Sequence, residues 1–119
     1  MTRDPLAAFD AAAFDAVAFD AQRLRRLARR HQETVRENPG VDDIVYEWRR
    51  AYPHQPLVER TDAAYYLLVE PAAWREFGDA LGLDGAARDA LRALHARQFA
   101  AVLGEPDDER REPMVLTRP

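Results

Sequence analysis

The 119-residue chain has no cysteine, no serine and no lysine, a single asparagine (Asn38) and a single isoleucine (Ile44). Without thiols there are no disulfides, no thiolate metal ligands and no cysteine nucleophile, and the redox compartment is left open. Without serine and lysine, the Ser-His-Asp triad, the P-loop lysine and the Schiff-base lysine are excluded. No window reaches the roughly 18 consecutive apolar residues of a membrane span. Met1 is followed by a short acidic, alanine-rich segment, not by the apolar run of a secretory signal. A cytoplasmic protein with no membrane contact is the expectation. Glycine-rich phosphate loops are also missing, and no cofactor is expected. The three histidines (His31, His54, His95) are far apart and show none of the paired spacings of a metal site. The carboxylate pairs Asp42–Asp43 and Asp107–Asp108 are adjacent in sequence, so on a helix they diverge by about 100° and form no acid–base pair. No catalytic residue is assigned, and a non-enzyme is expected.

What the chain has is arginine, concentrated in one place. From Gln22 to Glu37 there are six arginines against two glutamates, although the whole chain carries a net charge of −4. Wound as a helix, Val17, Ala21, Leu24, Leu27, Ala28, His31 and Val35 form an apolar stripe at three-and-four spacing. The arginines fall elsewhere on the surface. Arg23, Arg26, Arg29, Arg30 and Arg36 make a candidate face for nucleic acid or an acidic partner, since guanidinium forks suit phosphates and carboxylates. Acidic stretches on either side oppose non-specific binding to nucleic acid.

Upstream, the near-repeat LAAFD-AAAFD-AVAFD has period five. Three copies are too few to stack as a solenoid. On one helix, successive phenylalanines would point about 140° apart, so Phe9, Phe14 and Phe19 cannot share a face. Pro5 at a first helical position suggests a helix running to Glu37, roughly 50 Å long. Such a helix either breaks near Phe14 or projects and packs on a second copy, leaving Phe19 among the arginines.

Asn38-Pro39-Gly40 stops this helix. A second helix spans 41–52, with Asp42 and Asp43 in its first turn and Arg49 and Arg50 in its last, as the helix dipole favours. A β-hairpin follows (57–60 and 64–69), then helices 71–82 and 84–103, joined at Leu81-Gly82-Leu83. That joint resembles a helix-turn-helix only loosely, because Arg88 falls where the second helix should bury an apolar side chain. The expected fold is α+β and helix-dominated: four helices, the first one long, around one hairpin. Residues 1–104 form a single domain, and 105–119 an acidic disordered tail in which Met114-Val115-Leu116 could dock as an extra strand. The expected core is Leu24, Leu27, Val35, Ile44, Val45, Trp48, Tyr52, Leu67, Val69, Trp74, Phe77, Leu81, Leu91, Leu94 and Val102.

His31, His95 and Gln98 fall within or beside apolar stripes and need hydrogen-bond partners, because a buried polar group left unpaired costs roughly 1–3 kcal/mol. They form either a satisfied core network or a ligand pocket. Three functional expectations follow. The first is a non-enzymatic interaction or regulatory protein, homodimeric through its N-terminal helix. The second is a nucleic-acid-associated regulator using the arginine face, and the third a small-molecule binder or enzyme around His31, His95 and Gln98.

Overall fold

The computed structural model describes residues 3–119. Five helices and three strands follow one another: α1 (Ala11–Asp15), α2 (Ala21–Glu37), α3 (Val41–Ala51), β1 (Leu57–Arg60), β2 (Ala64–Val69), α4 (Pro71–Ala80), α5 (Gly85–Leu103) and β3 (Glu112–Thr117). The strands make one antiparallel sheet in the order β1-β2-β3. The α+β, helix-dominated class is as the sequence implies, with helices 41–52, 71–82 and 84–103 and both hairpin strands found within a residue or two.

The N-terminal helix takes the broken form, with its break near Phe14, and does not run on unbroken to Glu37. It breaks after Asp15, and α2 restarts where the Asp20 carboxylate accepts the Arg23 amide at 2.7 Å. The physical reason is the five-residue phenylalanine spacing. A continuous rod would strand one ring in water and, at roughly 50 Å, would outreach a molecule measuring 36 × 36 × 27 Å. Breaking the rod lets Phe9 and Phe14 turn inward to 8% and 2% exposure. Phe19 is half-buried against the core and covered by the Arg23 guanidinium, 5.1 Å from its ring centre. The N-terminal segment is thus part of the domain and does not project from it.

Residues 105–119 are not a disordered tail throughout, because Met114-Val115-Leu116 docks as an extra strand. Only the first part of this stretch lacks regular structure. Glu112–Thr117 pairs with β2 along its whole length, from Val69↔Glu112 to Ala64↔Thr117, with Met114, Val115 and Leu116 fully buried. Charge and proline on either side obscure a short apolar run whose burial completes the core. The Asn38-Pro39-Gly40 stop is formed as expected: Gly40, at a φ of 107°, donates its amide to Val35 at 2.8 Å. Of the expected core, Ile44, Trp48, Tyr52 and Phe77 are only half-buried and pack against its edge. Val102 is 44% exposed, and its place is taken by Phe99, at 2% exposure and edge-on to Tyr66.

Candidate functional site

His31 comes from the buried stripe of α2 and His95 from that of α5. The structure brings them together: ring centres are 5.2 Å apart, edge to face, and both rings are fully buried. Trp74 stacks on His31 at 5.1 Å and meets His95 edge-on at 4.7 Å, while Phe9 closes the other side of His95 at 5.0 Å. Desolvation holds both rings neutral. It lowers the His31 pKa to about 3 and pushes that of His95 well below the ordinary value, where the neighbouring His31 adds repulsion.

The pair is tied to the outer edge of β3. Antiparallel pairing leaves alternate residues facing away from the partner strand, here Pro113, Val115 and Thr117. Each finds a side chain instead of a fourth strand. The Val115 amide donates to His95 Nδ1 at 2.9 Å, which places the His95 proton on Nε2. Gln32 spans two positions: its Nε2 donates to the Val115 carbonyl and its Oε1 accepts the Thr117 amide, both at 2.8 Å. Trp74 Nε1 donates to the Pro113 carbonyl at 3.1 Å, and Pro113 has no N–H to satisfy. Three helices thereby close a strand edge that would otherwise invite pairing with another chain. The Nε2 atoms of His31 and His95 are buried without a hydrogen-bond partner among the described residues, and the two rings pack edge-on against Phe77 and Trp74 respectively.

Gln98 does not join the histidines. Its Oε1 accepts the Asp10 amide at 2.8 Å, and its Nε2 lies 3.4 Å from the Tyr66 hydroxyl. It pins the start of α1 to α5. Thr117 pins the preceding stretch, donating its hydroxyl to the Pro5 carbonyl at 2.6 Å. The third histidine, His54, donates Nε2 to the Leu68 carbonyl at 2.9 Å and stacks on Tyr52, which in turn stacks on Trp48. Burial pushes the Tyr52 hydroxyl up to about 12. Among the described residues no group of three or more metal-ligating side chains converges.

The arginine face divides into two rows, one on each side of the buried stripe. On one side Arg25 lies over the Phe14 ring at 4.3 Å, and Arg29 reaches Asp4 at 3.4 Å. Arg36 belongs to that side but lies near the end of α2, beside a separate hollow with Asp42 and Asp43. On the other side Arg23, Arg26 and Arg30 line one concavity of about 330 Å³, bounded by Leu27 and by the α4–α5 turn at Gly82, Leu83 and Asp84. Arg30 donates to the Leu81 carbonyl at 3.1 Å, which orients it across that turn. Asp84 is 3.7 Å from Arg23 and, among the described residues, is the only carboxylate lining the concavity. Arg26 has no acidic partner within 4 Å among the described residues.

Gln32 and the Trp74 indole are the polar groups that sequence patterning passed over. Gln32 had a legible signal: it lies four residues after Ala28 and three before Val35, inside the stripe. What it would bond could not be read, since its partners lie more than 80 residues away.

Fold and site together define a small α+β protein whose polar core residues serve the sheet and whose cationic concavity faces outward. The chain belongs to a family described as a domain of unknown function (DUF8048), whose model matches residues 7–118. No curated protein and no solved structure matches it. No described helix is long and apolar enough to cross a membrane.

Proposed function

We propose that this protein is a small non-enzymatic interaction module that grips an acidic protein segment through the Arg23–Arg26–Arg30 row of α2. The observation that carries this reading is the convergence of three guanidiniums, at three-and-four spacing, on one concavity with a single lining carboxylate among the described residues. Guanidinium forks bind carboxylates bidentately, and a concave, partly apolar floor suits a short peptide better than a rigid duplex. The net charge of −4 and the short length of the row argue against an extended polyanion. Self-association through the N-terminal helix loses both of its grounds, because that helix is broken and Phe19 is covered. A catalytic role for the histidines has little support, since His95 Nδ1 and Gln32 are committed to β3.

The test is fluorescence anisotropy with a labelled oligoglutamate peptide and a labelled mixed-sequence single-stranded DNA at low salt. Saturable peptide binding that weakens with salt and disappears in Arg26→Glu supports the reading. DNA binding tighter than peptide binding overturns it in favour of a nucleic-acid regulator. Binding of neither removes the arginine row as a working surface.

A further inference from the structure

A second cationic cleft lies where α4, α5 and the start of β3 meet, and no residue of the α2 row lines it. It consists of two adjoining hollows of about 320 and 220 Å³ that share Trp74, Arg92 and Glu112. The combined size falls within the range of small-ligand pockets. Its charges are unevenly matched. Arg92 engages both carboxylates, donating through Nε to Glu112 at 2.7 Å and through Nη1 to Asp89 at 3.4 Å. Arg75 and Arg88, which line the same cleft, have no acidic partner within 4 Å among the described residues.

Arg88 is placed there by the backbone of α4. A Cβ at Gly78 would lie 3.0 Å from Arg88 Cδ, so the glycine is what lets the arginine stem lie across the helix. The Arg88 Nε is buried and has no hydrogen-bond acceptor among the described residues. A buried guanidinium donor left without a partner is costly, more so than a neutral one. The remaining walls are apolar: Trp74, Ala93, Ala96 and Pro113.

We propose that this cleft binds a small organic monocarboxylate, its carboxylate on Arg88 and Arg75 and its apolar body against Trp74 and the alanines of α5. Three guanidiniums against two carboxylates leave room for one negative charge, and the apolar walls select an acid with a hydrocarbon part over a bare oxyanion. A carboxylate accepts the Arg88 donors in the planar fork geometry that arginine offers.

Sodium benzoate and inorganic phosphate at matched ionic strength are the probes. Trp48→Phe leaves Trp74 as the only tryptophan, so its emission reports the cleft directly. Benzoate should change that emission saturably, and phosphate should not. Arg88→Gln should weaken benzoate by about tenfold, the expected loss of a charge-assisted contact, while melting no lower than the parent, since it removes a buried donor without a partner. Gly78→Ala, which displaces Arg88, should weaken it too. Amide spectra of the unaltered chain give a second readout, with benzoate-dependent shifts expected at Gly78, Arg88, Arg92 and Ala93. Absence of saturable shifts, an equal response to phosphate, or undiminished binding by Arg88→Gln would overturn the proposal.

Discussion

His95 accepts the backbone amide of Val115 at 2.9 Å, with both residues fully buried. This bond joins the middle of α5 to the outer edge of a strand that begins after a charged, irregular stretch. It requires a neutral imidazole, because a protonated ring has no acceptor to offer. The same edge is held at two further points by Gln32, so the polar residues of the core act as a substitute for a neighbouring strand.

Gln32 should therefore be far more sensitive than a glutamine usually is. Gln32→Met keeps the volume but leaves the Val115 carbonyl and the Thr117 amide without partners. Each unpaired buried group costs about 1–3 kcal/mol, so a loss of about 2–6 kcal/mol is expected in urea unfolding. Gln22, exposed on the same helix, should tolerate the same change within about 0.5 kcal/mol.

Stability should fall with acid, and the histidines set where. An unfolded histidine titrates near 6.5, whereas His31 in the fold titrates at about 3 and His95 is also strongly lowered. The folded state thus resists protons that the unfolded state takes up. Stability is unaffected above pH 6.5 and is lost as pH drops below it, by up to about 1.4 kcal/mol per pH unit for each ring. Urea titrations between pH 7 and pH 4 should show this slope. His31→Phe, which keeps a ring stacked on Trp74, should remove about half of it.

Residues 112–117 behave as core in spite of their setting. Met114, Val115 and Leu116 are fully buried, so a chain ended at Leu103 should lose its near-ultraviolet circular dichroism and its cooperative unfolding transition. Persistence of both would mean that β3 is an accessory strand.

Much of this fold could be read from local pattern. The amphipathic periods of α2, α3 and α4, the Asn-Pro-Gly stop and the alternation in β2 each follow from residues within one turn or one strand. The N-terminal stretch leaves two outcomes open in sequence, since helix propensity in an alanine-rich stretch favours continuity while tertiary burial of Phe9, Phe14 and Phe19 favours the break near Phe14 that is formed. β3 was only half-legible: Met114-Val115-Leu116 is apolar, but its partner Tyr65-Tyr66-Leu67 lies some 50 residues earlier and cannot be inferred from flanking charge. For the candidate site, the buried character of His31, His95 and Gln98 followed from stripe position. That the two histidines meet while Gln98 turns to Asp10 depends on how α2 and α5 cross, which periodicity does not encode. The arginines were legible as a cluster, but not as two rows with different neighbours.

Hydrogen exchange at the amides of Val115 and Thr117 tests the central claim most directly. Both point away from β2, and on an open strand edge they would exchange as freely as a solvent-facing backbone. With His95 and Gln32 as their acceptors, they should exchange within about tenfold of Met114 and Leu116, which face β2, and only through global unfolding. Fast exchange at Val115 and Thr117 beside slow exchange at Met114 and Leu116 would show that the edge is open, and would return His31 and His95 to consideration as a functional site.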